Sequence, residues 1–389
     1  MDRIAEHFLS LGYKRASAKI YLSRISRFSR FAAMRCGSMP IGQDVIDSYL
    51  RRFSTDSPRI AAVSALGHAR RLAPERFIAS VPSTVDDPGA PLLASFSDYL
   101  RRVRGLEPKS REGVLLGARR FLDWFHHHHP GQVIEALTAE HVLAGVEHRL
   151  SLSATSATRT AATSHVRTFL RFLHWAGHHD QDLARVVPRT PHWRLAHLPP
   201  RLAWDDVRRA IDAIGAGTPV DIRDRAILLL LATTGIRNGE LRALQLQDID
   251  WRAGEVFVRR TKGKRDRVVP LLEETGAALA EYILRARPKI DSPYLLLSFA
   301  PPVGRFKNAS PISRIVQKRL RHGGIELGRA GGAHLLRHSL ATQLVGQRRP
   351  INEVADLLGH RSINTTALYV KVAASQLADV ALPFPGGAA

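Results

Sequence analysis

The stretch Leu358-Gly359-His360-Arg361-Ser362-Ile363-Asn364-Thr365-Thr366-Ala367-Leu368-Tyr369-Val370 decides how the rest of the chain is read. A tyrosine follows a Gly-His pair by nine residues. It lies on a segment predicted to form a short helix over 363–371, behind another predicted helix over 351–358. Working outward, His334-Leu335-Leu336-Arg337-His338 opens a predicted helix over 333–346, and a separation of three puts His334 and Arg337 on one face. Further back, Thr261-Lys262-Gly263 leads into Arg267-Val268-Val269-Pro270. Here the pattern predicts a small antiparallel sheet over 248–270: a turn at 251–254, a strand over 255–260, a tight turn at Lys262-Gly263-Lys264 and a strand over 266–270. Furthest back, Thr234-Gly235-Ile236-Arg237-Asn238-Gly239-Glu240-Leu241 follows the apolar run 226–233, which has the length of a core helix.

In order and spacing these pieces resemble the tyrosine recombinase (phage integrase) family, and the resemblance spans roughly residues 92–372. It implies a mainly α fold with a small antiparallel β-sheet in the catalytic domain, preceded by a helical core-binding domain that clamps DNA. It implies metal- and ATP-independent cutting and rejoining of DNA through a 3′-phosphotyrosyl intermediate and a Holliday junction, with no cofactor and no metal. The expected partner is double-stranded DNA with paired inverted half-sites, bound by a homo-tetramer; related recombinases or accessory proteins are further candidates. An integrase or transposase of a mobile element is the first reading. A DNA-binding accessory subunit, an Xer-like chromosome dimer resolvase and a type IB topoisomerase-like relaxase are the alternatives.

Such chemistry needs a nucleophile, charge neutralisation at the phosphorus and a proton for the leaving 5′-oxygen. Tyr369, one of seven tyrosines, is the expected nucleophile. A free phenol has a pKa of about 10 and needs cationic neighbours to become competent. Arg237 and Arg337 are the expected phosphate clamp, because a guanidinium presents a planar fork to two oxygens at once. Arg237 stands before a helix beginning near Asn238, whose backbone N–H groups would also point at the anion. His334 and His360 are expected donors to the phosphate, while His338, one residue beyond Arg337, is expected to point elsewhere. Lys262 is the expected general acid. The chain departs from the family's commoner form here, which often carries a second glycine, and Lys264 competes for the role. Glu240, three residues after Arg237, is expected to accept from the clamp arginine or a neighbouring histidine. As a metal ligand it would need a second carboxylate, and the sequence suggests none.

Composition agrees with a polyanion partner. Lys and Arg number 57 against 35 Asp and Glu, a net charge of +22, with 18 histidines in addition. A single cysteine, Cys36, excludes an internal disulfide framework and a Cys-based zinc site. No signal peptide and no run of membrane-spanning length is seen, so a cytoplasmic, nucleoid-associated protein is expected.

The 389 residues suggest several domains. The expected division is an N-terminal helical DNA-binding unit at 1–85, the core-binding domain at 92–190, a Pro-rich basic linker at 191–202, the catalytic domain at 203–372 and a tail at 373–389. In the first unit Ile20, Leu22, Ile25, Phe28 and Phe31 are expected on one apolar helix face. Gly12, Ser17, Leu22, Arg27, Phe28 and Phe31 align with Gly105, Ser110, Leu115, Arg120, Phe121 and Trp124 at a constant offset of 93, which suggests a duplicated module. The run His126 to His129 is read as a polar helix end, favoured there by the helix dipole.

Overall fold

The computed structural model describes residues 2–78, 89–189, 200–259, 266–327 and 331–359. Lys262, His360, Tyr369, the Lys262-Gly263-Lys264 turn, most of the 191–202 linker, the expected helix over 363–371 and the 373–389 tail lie outside the described residues. The fold is mainly α, with small antiparallel sheets. Residues 1–77 and 195–389 form one compact unit and residues 78–194 another.

The chain opens with α1 (Asp2–Ser10), α2 (Arg15–Cys36), α3 (Gln43–Leu50) and α4 (Asp56–Leu72). They enclose a cluster built on Phe8, Ile25, Phe28, Tyr49, Leu66 and Phe77. Ile25 and Phe28 are buried, Leu22 and Phe31 half-buried, but Ile20 is 57% exposed, against expectation. At about 100° per residue, Ile20 stands about 140° round the helix from Ile25, outside the stripe through Ala18, Ile25, Phe28 and Ala32.

The second unit holds α5 (Ala90–Arg102), α6 (Pro108–His128), α7 (Ala139–Ser151) and α8 (Ser156–Trp175). Phe96, Leu100, Phe121, Phe125, Phe169 and Phe172 form its core. Thr138 and Thr155 cap α7 and α8 through the N–H groups of His141 and Thr158, at 3.3 and 3.2 Å. The histidine run ends α6, and the ring of His129 lies 4.1 Å from that of His141. The two four-helix segments share a start: α2 and α6 begin 93 residues apart, the helix before each ends near a positive-φ glycine (Gly12, 81°; Gly105, 58°), and Phe28 and Phe121 are both buried.

From residue 200 on, the chain builds a core round one helix. The elements are α9 (Trp204–Asp212), α10 (Pro219–Thr234), α11 (Asn238–Leu241), β1 (Ile249–Asp250), β2 (Glu255–Val258), β3 (Arg267–Pro270), α12 (Glu273–Glu281), β4 (Leu297–Ser298), β5 (Gly304–Arg305), α13 (Ser310–His322), α14 (Ala333–Gly346) and α15 (Ile351–Leu358). Residues 226–232 of α10 are all fully buried or nearly so, as a helix apolar on every side must be. α9, α12, α13 and α14 pack round it. The sheet runs β1-β2-β3, antiparallel, with Val256 opposite Val269 and Val258 opposite Arg267.

Two local features leave no clear mark in the sequence. α12 starts at Glu273 and widens into a π-helical turn at Tyr282–Ala286. Tyr282 is fully buried there, and its hydroxyl accepts from the Leu297 N–H at 3.0 Å. The β4–β5 pair has two residues per strand, too short to leave a periodic signal.

Candidate active site

α10 ends at Gly235, which takes a left-handed conformation (φ 60°, ψ 20°) and donates to the Leu231 carbonyl at 3.1 Å. A Cβ on this glycine would lie 2.6 Å from Leu358 Cδ2, so the missing side chain makes room for α15. Two residues on, Arg237 caps the single turn of α11 in an extended conformation.

Glu240 is the electrostatic centre. It is 6% exposed. Its Oε2 accepts from the Arg237 backbone N–H at 2.8 Å and from Arg267 Nη2 at 2.8 Å; its Oε1 accepts from Arg237 Nη1 at 2.8 Å and Arg267 Nη1 at 3.2 Å. Burial pushes the carboxyl pKa up, but the hydrogen bonds and charges of Arg267 and Arg237 outweigh it and hold the group down at about 2. The chain's own carboxylate thus takes the Arg237 N–H at the start of α11. The Arg237 side chain is 23% exposed.

Three guanidinium groups close on the end of α15. Arg267 Nε donates to the Leu357 carbonyl at 3.1 Å, Arg337 Nη2 to Leu358 at 2.5 Å and Arg237 Nη2 to Gly359 at 2.8 Å. Arg337 is 3% exposed and also donates through Nη1 to the Gly235 carbonyl at 2.5 Å. The last carbonyls of a helix lack intrahelical partners and carry its negative dipole end, so cations gather there. Arg237 and Arg337, 100 residues apart in sequence, are thus brought together on two successive carbonyls, at the point where the chain enters His360.

His334 is exposed on the first turn of α14. His338 is half-buried one turn further, its ring centroid 6.4 Å from that of His334. Counted from Arg337, His338 lies well round the helix; counted from His334, it is an i+4 neighbour. Burial, with His334 and Arg337 adding positive charge, lowers its pKa to about 4, so the imidazole is neutral near pH 7.

The structure therefore brings together Arg237, Glu240 and Arg337, with His334 on the helix of Arg337. Lys262, His360 and Tyr369 lie outside the described residues. Arg267 joins the cluster without having been picked out. Its signal was present in the strand pattern: it stands opposite Val258 and two residues before Val269, both buried, and a core-facing arginine needs an acid. Among the described residues no group of three or more His, Cys, Asp or Glu is arranged to hold a metal ion, and no helix is long and apolar enough to cross a membrane.

Comparison with known proteins places this geometry. Residues 200–376 match the phage integrase family. "Putative integrase/recombinase y4rF" of Sinorhizobium fredii is 85% identical over all 389 residues, which cover 92% of that protein. "Tyrosine recombinase XerD" of Corynebacterium glutamicum is 30% identical over 303 residues, 74% of this chain and 96% of that one. In fold, the chain resembles the XerH site-specific recombinase bound to a palindromic difH substrate in a post-cleavage complex, with a TM-score of 0.57 at 19% identity over 74% of this chain and 83% of that one. It also resembles the lambda integrase tetramer bound to a Holliday junction, with a TM-score of 0.54 at 17% identity over 79% and 88%. One relative matches over all 389 residues and the other over 303: the chain belongs to the phage integrase family and is a tyrosine site-specific recombinase.

Proposed function

We propose that the chain cuts and rejoins double-stranded DNA with Tyr369 as nucleophile, Arg237 and Arg337 as the phosphate clamp, His334 and His360 as further donors, and Lys262 as general acid. The observation that carries this reading is the convergence of three guanidinium groups on the carbonyl end of α15, one residue before His360. Cationic forks gathered at one point suit the crowded, doubly negative phosphorus of the transition state.

The Tyr369 Oη gives up its proton to solvent as it attacks the scissile phosphorus, and the bond to the 5′-oxygen breaks. A proton from Lys262 completes the 5′-hydroxyl, and the strand stays linked as a 3′-phosphotyrosyl ester. That ester conserves the energy of the broken bond, so the reverse attack by a 5′-hydroxyl reseals a strand without ATP. Glu240 stays ionised and keeps the Arg237 fork in place through both steps. The helical segments 2–77 and 89–189 carry basic residues such as Lys19, Arg24, Arg119 and Arg171 for phosphate contacts that bind without reading sequence. The likeness to a lambda integrase tetramer on a Holliday junction supports a tetramer, and the likeness to XerH on a palindromic substrate supports paired inverted half-sites.

The test is a suicide substrate, nicked near the scissile phosphate so that religation fails. A covalent adduct that disappears in Tyr369→Phe is the expected result. Absence of any adduct on cognate ends would overturn the assignment in favour of an accessory DNA-binding role.

A further inference from the structure

We propose that Arg267 is a positioning residue for strand cleavage: it locks the Glu240 carboxylate to the Leu357 carbonyl and so fixes the Arg237 fork against the turn leading into His360. The inference rests on the reading of Arg237 as part of the phosphate clamp.

The geometry is specific. Arg267 opens β3, and 10% of its side chain is exposed against 23% for Arg237. It therefore stands behind Glu240, while Arg237 stands in front. Each carboxylate oxygen of Glu240 is shared between the two arginines: Oε1 between their Nη1 atoms, Oε2 between Arg267 Nη2 and the Arg237 backbone N–H. Any rotation of the carboxylate that frees Arg267 also breaks a bond to Arg237. A further donor, Nε, fixes the same guanidinium to Leu357. One rigid plane thus joins the sheet, α11 and α15. A lysine has one ammonium and cannot span both oxygens and the carbonyl in this way.

Gly359 gives an independent sign that the space is kept for Arg267. Its φ is 61°, and a Cβ there would lie 2.8 Å from Arg267 Nη1 and 3.2 Å from Cζ. The glycine before His360 therefore serves both the left-handed turn and the seat of this guanidinium. Stability alone is a weak reason for such a site, because a buried ion pair is often matched by apolar residues of equal volume. Orientation of Arg237 is the demand it meets.

The measurement is single-turnover adduct formation on the nicked substrate at saturating protein, with DNA affinity and unfolding followed alongside. Arg267→Met is expected to slow cleavage by about 100-fold while DNA affinity stays within about threefold, since a mispositioned donor costs transition-state binding selectively. Glu240→Gln is expected to slow it similarly. Because both act through one carboxylate, the double variant should be no slower than about the slower single one. Multiplied losses would overturn the proposal, as would wild-type cleavage in Arg267→Met.

A pH profile adds a reading that scaffolding alone would not move. Glu240 is faced by Arg237 from its own turn and by Arg267 from β3, so loss of Arg267 leaves burial opposed by one guanidinium. Its pKa should rise, and cleavage in Arg267→Met should fall more steeply than wild type between pH 7 and pH 5. A parallel profile would overturn the proposal. If Met at this position prevents folding, Arg267→Lys keeps the charge and is expected to recover less than about a tenth of the rate; full recovery would refute the geometric role. Tyr369→Phe is run beside them: an adduct that survives there strikes the nucleophile assignment and leaves the Arg267–Glu240 coupling to be judged on its own cycle.

Discussion

The two ends of α10 carry two buried arginine–carboxylate networks that differ in their charge balance. At the N-terminal end, Arg319 donates to Asp224 and Asp221, each at 2.7 Å, and Arg223 donates to Asp224 at 2.6 Å while lying 4.7 Å from the ring of Phe299. Two guanidiniums meet two carboxylates. At the C-terminal end Arg237 and Arg267 meet one carboxylate among the described residues, Glu240, and bonds from these two and from Arg337 run to backbone carbonyls. A carbonyl orients a guanidinium without neutralising it. The balanced end holds α10 against α13. The other end is unbalanced among the described residues, and in the reading proposed above its guanidiniums are aligned for an anion that arrives from outside. Burial alone does not mark an active site; a gathering of buried, oriented cations marks a candidate.

The largest expected effect tests the unbalanced end. Arg337→Lys keeps the charge but loses the fork that bridges Gly235 and Leu358. Adduct formation is expected to fall by about 100- to 1,000-fold, with DNA binding retained. Near-normal cleavage in a single-turnover assay would remove Arg337 from the chemistry. The balanced end should answer in the opposite way. Arg319→Met leaves Asp221 and Asp224 short of a partner and is expected to cost about 3 kcal/mol of stability, seen as a lower urea midpoint. Cleavage per folded molecule should stay within about twofold of wild type. If Arg319→Met instead slowed cleavage as much as Arg337→Lys, the distinction between the two ends would fail. Gly235→Ala acts where α10 meets α15. Its Cβ would need the left-handed region and would collide with Leu358, so a loss of about 1–3 kcal/mol is expected. An unchanged midpoint would show that α15 is not seated by this glycine.

Much of this was legible in the chain, and the reasons are physical. The run 226–232 had to be a central helix because it is apolar on every side, and alternation on either side of Lys262 had to be a hairpin. Arg237, Glu240 and Arg337 stood out because their spacing relative to Gly235 and His334 matched a family pattern. Arg267 was quoted for the strand it opens and missed for its side chain. Its importance depends on Glu240 and Leu357, which lie 27 and 90 residues away, and long-range pairing leaves no local periodicity. Ile20 misled because apolar residues also occur on exposed faces. The four-helix segments were readable as helices, and their shared start survives as two positive-φ glycines 93 residues apart.

The smallest expected effect concerns pH and separates the two titrating groups of the unbalanced end. His338 has a folded pKa of about 4 against about 6.5 for a free imidazole. Between those values the unfolded chain binds a proton that the folded one refuses, so stability should fall as pH drops from about 6.5 toward 4. Glu240 runs in a lower window. Its folded pKa of about 2 makes its stabilisation complete above the ordinary carboxylate pKa and lost as pH falls below about 4.5 toward 2. His338→Phe should therefore flatten the decline between pH 6.5 and 4 and leave the loss below pH 4.5 in place. Glu240→Gln should do the reverse. Urea midpoints measured across pH 3–7 for wild type and both variants check this. If His338→Phe left the upper window as steep as before, the imidazole would not be the neutral group that keeps the positive charge beside Arg337 from rising further.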